Sequence, residues 1–230
     1  MREMAERKTI TLHELQVLSG RIQRAAMTMP PGATVYLANL LALMSGLKLP
    51  WHKRRVTREA RKDMRLLIQV LEANLGRGYF SHDHFEWAPP VFTDASKEAK
   101  FAGGGFYSAD GLYDYWEYGA ADRRRHIHEL EGDAVLRAAK ALAGRWKHKR
   151  VPFFIDNTAF QLSFKKGRSK APELNTILRQ LFLISSKYDC LFVPQWISTT
   201  DNICADALSR GQLQRFFTAA NDFSSTCQRI

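Results

Sequence analysis

Four acidic residues, Asp94, Glu131, Asp156 and Asp206, stand where a carboxylate can serve either as a cap or as a ligand. Val91-Phe92-Thr93 is a short apolar, β-prone run bounded upstream by Pro89 and Pro90. Asp94 closes it, just before the turn-formers Ala95 and Ser96. Burying a charge at the end of a central strand is costly unless a metal ion or a donor pairs it. Taken alone, an aspartate there reads as the cap of a hairpin. The arrangement recurs, however, at Val151-Pro152-Phe153-Phe154-Ile155, an apolar run that ends abruptly in Asp156-Asn157. Parallel pairing of the two runs puts both aspartates at one edge of a sheet.

The other two acids sit on helical patterns. In residues 127–146, Ala134, Val135, Ala138 and Leu142 form one stripe, which must face the sheet. Glu131 precedes Ala134 and Val135 by three and four positions, so it lies within about 60° of that stripe at ~100° per residue. Glu129 and Asp133 are predicted to project from the opposite face. Asp206 lies in Asp-Asn-Ile-Cys-Ala-Asp-Ala-Leu-Ser-Arg, with Asp201 and Asn202 offering an N-cap. In the first helical turn its charge suits the helix dipole, so it reads either as a helix stabiliser or as a fourth member of the group.

The elements that must hold these acids follow from pattern. Residues 1–88 are predicted as a small helical region. Its first helix opens at Thr11 with the Thr-x-x-Glu spacing of a capping box, the second carries Val35, Leu37, Leu40, Leu41 and Met44, and the third runs from about 57 to 75. Met29-Pro30-Pro31-Gly32 breaks the first of these helices, and a linker at 79–90 sets the boundary. Three strands, at 91–93, 101–107 and 112–118, form an antiparallel meander. Then come a helix at 127–146, a strand at 151–155, a helix at 173–187, a strand at 191–197 and a helix at 202–217. That order predicts an α/β fold, a mixed five-stranded sheet flanked by helices over residues 89–220, with 221–230 a C-terminal tail.

Charge narrows the partner. Lys and Arg number 34 against 23 acids, giving +11, an excess that favours a polyanion such as nucleic acid. Eight basic residues fall between Lys48 and Arg65, among them Lys53, Arg54 and Arg55, beside Trp51 and His52. They form a solvated face or a contact to a phosphate backbone. The three cysteines make no metal-ligand spacing, and their odd number argues against a disulfide framework. The N-terminus lacks the apolar core of a secretory signal, and the apolar stretch 35–47 is too short to span a bilayer. The expectation is a soluble intracellular protein, cytoplasmic or nuclear, not secreted and with no membrane partner.

Thr-Asp-Ala-Ser at 93–96, an inward glutamate in the helix after the meander, Phe-Phe-Ile-Asp-Asn at 153–157 and Asn-Ile-Cys-Ala-Asp-Ala-Leu-Ser-Arg at 202–210 occur in that order. Together they resemble the ribonuclease H domain of retrotransposon reverse transcriptases. The stretch 12–32 is similar to the connection segment of the DIRS-type elements. The resemblance covers roughly residues 10–220. It implies that Asp94, Glu131, Asp156 and Asp206 hold two Mg²⁺ ions roughly 4 Å apart, with Mn²⁺ an alternative because the ligands are all oxygen. The implied activity is cleavage of the RNA strand of an RNA/DNA hybrid. One ion would activate a water for in-line attack, and the other would stabilise the leaving 3′ oxygen.

Beside the resemblance, the residues offer candidate substrate contacts, with a solvated loop the alternative reading. Asn157 and Gln161 are placed to reach minor-groove 2′-hydroxyls. Lys165, Lys166, Arg168 and Lys170, in a loop around Gly167, suit the phosphates of the DNA strand. Two departures stand out. Many ribonucleases H keep a mobile histidine where this chain has Trp196. No Tyr-x-Asp-Asp pair of polymerase aspartates occurs either, so the chain is expected to be a fragment whose partner is the polymerase region it lacks. The rival expectation is a catalytically inactive retroelement remnant that only binds nucleic acid.

Overall fold

The computed structural model describes residues 1–27, 29, 32–73, 85–98, 101–221 and 227–230. The predicted end of the third helix past 73, the prolines at 30 and 31, residues 79–84 of the linker and 222–226 of the tail lie outside them.

The N-terminal region contains α1 (Arg2–Glu6), β1 (Thr9–Thr11), α2 (Leu12–Ala26), a 3₁₀ turn over Ala33–Leu37 leading into α3 (Ala38–Met44), β2 (Lys53–Arg55) and α4 (Arg58–Ala73). The capping box is present: Thr11 N donates to Glu14 Oε2 at 2.9 Å and Glu14 N to Thr11 Oγ1 at 3.2 Å. Below it Leu15, Leu18 and Ile22 are buried at helical spacing. The region is not all helix, because Thr9-Ile10-Thr11 pairs antiparallel with Lys53-Arg54-Arg55. Lys53, Arg54 and Arg55 therefore project from a strand rather than from the approach to a helix. The β-prone Thr-Ile-Thr triplet buries Ile10 and leaves the basic strand outside.

Then follow β3 (Glu86–Trp87), β4 (Val91–Lys97), β5 (Ala102–Ser108), β6 (Leu112–Glu117), α5 (Ile127–Leu142), β7 (Lys149–Ile155), α6 (Thr158–Lys166), α7 (Pro172–Tyr188), β8 (Leu191–Trp196), α8 (Ile203–Ser209), α9 (Leu213–Asn221) and β9 (Gln228–Arg229). Five longer strands make a mixed sheet in the order β8-β7-β4-β5-β6. The meander β4-β5-β6 is antiparallel, whereas β7 runs parallel to both β4 and β8. Two-residue additions extend it, β3 on the start of β7 and β9 beside β6. The α/β architecture is the expected one.

Helices α5 and α7 pack on one face, where Val135, Ala138 and Leu178 meet Val91, Val151 and Phe153. Helices α8 and α9 pack on the other, with Leu208 and Phe216 against Tyr107. Close approach of α8 needs the glycines of β5: a Cβ on Gly105 would stand 2.5 Å from Leu208 Cβ. Leu15, Tyr36, Leu40 and Met64 belong to the same buried cluster as Phe153 and Leu178, so the N-terminal region shares the core of the sheet. A buried ion pair joins them, with Arg179 Nε and Nη2 each donating at 2.7 Å to the two oxygens of Asp63. Asn39 adds a third bond to Asp63 at 2.7 Å.

Two helical expectations change. Residues 202–217 form two helices, not one, because Gly211 takes φ +68° and turns the chain between α8 and α9. Lys165 and Lys166 lie in the last turn of α6 rather than in a loop. That helix is capped by Asn157, whose Oδ1 accepts from Phe160 N at 2.9 Å, and is ended by Gly167 at φ +68°.

Candidate metal centre

The strand register sets the centre. Thr93 pairs with Ile155 across β4 and β7, so Asp94 and Asp156 each stand one residue beyond that pair, at the same sheet edge. Helix α5 brings Glu131 against them, because Ala134, Val135, Ala138 and Leu142 are all buried on its inner stripe. One carboxylate oxygen from each of Asp94, Glu131 and Asp156 lies within 4.8 Å of the others. Asp94 and Glu131 are both 4% exposed, while Asp156 is half-buried.

Glu129 departs from expectation. It is buried rather than outward, because it folds back over the helix start: its carboxylate accepts from His126 N at 3.4 Å and from Arg125 Nε at 3.4 Å. Asp133 is half-buried and paired with Arg137 at 2.8 Å.

The hydrogen bonding of the three acids is incomplete. Glu131 accepts from the backbone N–H of Ala95. Thr199 Oγ1 donates to Asp156 Oδ2 at 2.9 Å, and Ser209 Oγ donates to Asp94 Oδ2. Glu131 Oε2 and Asp156 Oδ1 remain buried with no hydrogen-bond partner among the described residues. Burial pushes the Asp94 carboxyl up to about 6; the Ser209 hydroxyl opposes this, and the charges of Asp156 and Asp206 reinforce it. Burial, then the charges of Asp94 and Asp156, hold Glu131 well above its ordinary range. Orphaned carboxylate oxygens among crowded like charges are what a divalent cation relieves, and an all-oxygen set suits a hard ion. The residues present fit such an ion.

Asp206 does not join this trio. It is buried, on the first turn of α8, but Arg210 Nε donates to its Oδ1 at 2.7 Å and Arg215 Nη1 to its Oδ2 at 2.5 Å. The expected side-chain cap of α8 is also absent. Asn202 instead donates through Nδ2 to Thr93 O at 3.0 Å, tying the start of α8 to β4 beside the acids.

The outer residues divide. Asn157 is half-buried, with Oδ1 occupied in capping α6. Gln161 is buried and its amide donates to Pro194 O at 3.2 Å, so the side chain expected to read a 2′-hydroxyl is committed to β8. Lys165, Lys166, Arg168 and Lys170 are exposed, as are Lys53, Arg54 and Arg55. Trp196 is 56% exposed, and its indole Nε1 donates to the backbone O of Asp156 at 3.2 Å. Sequence reasoning missed Thr199, Ser209, Arg210 and Arg215 as neighbours of the acids. Only Ser209 and Arg210 carried a signal, three and four residues after Asp206 on one helical face.

No protein-family model matches the chain, and no curated protein matches it. Solved structures do. RNase H1 from the halophilic archaeon Halobacterium salinarum NRC-1 aligns at 18% identity and TM-score 0.45, over 55% of this chain and 97% of its own. The N-terminal RNase H domain of Rv2228c from Mycobacterium tuberculosis aligns at 16% and 0.44, over 60% and 100%. LC11-RNase H1, solved in complex with an RNA/DNA hybrid, aligns at 18% and 0.44, over 53% and 93%. Among the described residues, no helix is long and apolar enough to cross a membrane.

Proposed function

We propose that this chain is a divalent-cation-dependent ribonuclease H of the kind carried by retrotransposon reverse transcriptases, hydrolysing the RNA strand of RNA/DNA hybrids. The observation that carries this reading is the meeting of Asp94, Glu131 and Asp156 within 4.8 Å. Bound Mg²⁺ or Mn²⁺, two ions in the full reading, would supply a water nucleophile at neutral pH and neutralise charge developing on the leaving 3′ oxygen. Asp94, Glu131 and Asp156 would hold the cation, and Asp206, now paired with Arg210 and Arg215, would be the fourth ligand. Thr199 fixes the rotamer of Asp156, and Ser209 that of Asp94.

Helix α6 begins at Asn157's cap, next to Asp156, and ends in exposed Lys165 and Lys166, with Arg168 just beyond. A strand laid along it meets cations suited to the phosphates of the DNA partner. Asn157 remains the candidate for a 2′-hydroxyl contact, and Gln161 is withdrawn. Lys53, Arg54 and Arg55 form a second exposed basic set on β2 for the flanking backbone. A polymerase region of the parent element would complete the grip, in the cytoplasm or nucleus where hybrids form.

A second reading, a silent nucleic-acid-binding remnant, is favoured by one observation: Asp206 is held by two arginines. A cleavage assay on a labelled hybrid with Mg²⁺ or Mn²⁺ separates the two. The enzyme reading expects RNA-strand cleavage that Asp94→Asn abolishes. Cleavage equal in Asp94→Asn, or none at all alongside salt-sensitive hybrid binding, selects against it.

A further inference from the structure

We infer that Arg215, acting with Arg210, is a lock on the fourth carboxylate that sets how many divalent cations the centre takes up. The inference rests on the metal-centre reading above and concerns residues outside the acid set. Asp206 and the trio differ in one respect. Glu131 Oε2 and Asp156 Oδ1 are buried without a partner, whereas both oxygens of Asp206 are filled by guanidinium groups at 2.7 and 2.5 Å.

The two arginines are not equivalent. Arg210 lies one turn along from Asp206 and also pairs with Glu98, so it is fastened on two sides. Arg215 comes from α9, across the elbow that Gly211 makes with its φ of +68°. Its other contact is Gln212 Oε1 at 3.1 Å, and its side chain is 46% exposed. A guanidinium on Asp206 Oδ2 and a metal cation on the same oxygen exclude each other, by occupancy of the lone pairs and by like charge. Asp206 is otherwise well placed to serve, because Ser209 links its helix to the trio: Ser209 Oγ bonds Asp94 Oδ2 and lies 2.9 Å from Asp206 O.

A first cation would thus meet the unpartnered oxygens of Glu131 and Asp156 beside Asp94. A second, which requires Asp206, must displace Arg215, and its affinity is lowered by that competition. Arg215 is a positioning residue in this scheme: it touches neither the first ion nor a substrate, and acts through Asp206.

The test is a Mn²⁺ titration of the full chain, with the free ion counted by electron paramagnetic resonance, so that no turnover is needed. Wild type is expected to show one tighter and one weaker site. Arg215→Ala should strengthen the weaker site by about tenfold, the scale of one charge-assisted hydrogen bond, with the tighter site unchanged. Arg215→Lys keeps the charge and should titrate like wild type. Two equally tight sites in wild type, or a weaker site that Arg215→Ala leaves unmoved, would overturn the lock while leaving the centre intact. If neither protein binds Mn²⁺, or Asp94→Asn binds it as wild type does, the centre itself is misread and the lock falls with it.

Discussion

Asp94 and Asp156 are neighbours across two parallel strands whose register pairs Thr93 with Ile155. Asp94 lies within β4 and Asp156 one residue past the end of β7, so the last rung of the ladder holds the two close together. Burial does most to push the Asp94 carboxyl up to about 6, and the nearby charge of Asp156 adds to it.

A pH dependence of stability follows. A carboxyl whose folded pKa lies above its unfolded value contributes stability at low pH that is lost as pH rises through the folded value. In EDTA the protein should therefore lose on the order of 2–3 kcal/mol between pH 4 and pH 7 through Asp94, at about 1.4 kcal/mol per unit, with Glu131 adding in the same direction. Mg²⁺ should restore more stability at pH 7.5 than at pH 5. Urea melts across this range check it, and Asp94→Asn should flatten the curve. A melt that stabilises steadily from pH 4 to pH 7 in EDTA contradicts the assignment.

The glycine at 105 allows α8 to lie on β5, since an added Cβ would meet Leu208 Cβ at 2.5 Å. Gly105→Ala is expected to cost about 1–3 kcal/mol by overpacking. It should also weaken cation binding, because α8 carries Asp206 and Ser209. Thermal melts and a Mn²⁺ titration on one preparation test both effects. Stability lost with cation affinity untouched would detach α8 from the centre.

These two features mark what could be read from residues alone. The runs carrying Asp94 and Asp156 announce themselves by apolar residues followed by a charge, and Glu131 by its phase on the α5 stripe. The turn expected at Ala95 and Ser96 is absent, because both stay paired with glycines of β5, and β4 runs on to Lys97. The arginines on Asp206 could not be seen, because Arg215 reaches it from nine positions away around an elbow. Helix α6 was hidden for another reason: its basic end and Gly167 look like a loop, although Asn157 and Gly167 are the two caps of a helix. Strands β1 and β2 are three residues each and pair across a long interval, so local pattern carries almost nothing of them.

The junction between the N-terminal region and α7 yields a stability test. Asp63 is 2% exposed, and its bidentate partner Arg179 is largely covered. Arg179→Met strands a buried carboxylate and should cost about 3–5 kcal/mol. Asp63→Asn combined with Arg179→Met should recover most of that, because no buried charge is left. Chemical denaturation of the two variants decides. If the double variant is no better than the single, the cost lies in packing and not in the charge.

Trp196 presents an open indole face while its ring nitrogen is tied to the backbone of Asp156. Stacking against an aromatic of this kind is worth about 1–3 kcal/mol per base. Trp196→Ala is therefore expected to raise KM for hybrid about tenfold and to leave Mn²⁺ affinity unchanged. Steady-state kinetics beside a metal titration separates the two, and a loss confined to kcat would argue for support of Asp156 instead.

The order of the sheet has one more consequence, for how the protein behaves in concentrated solution. Its margin at β8 carries Pro194, which has no N–H to offer a neighbouring strand, and at the far margin the short β9 pairs with Leu112 and Tyr113 of β6. Strand-by-strand recruitment of another chain, the usual route from an open sheet to aggregates, meets an interrupted ladder on one side and a partly occupied one on the other. Light scattering at high concentration is expected to find single chains, with the edge that carries Asp94 and Asp156 left clear.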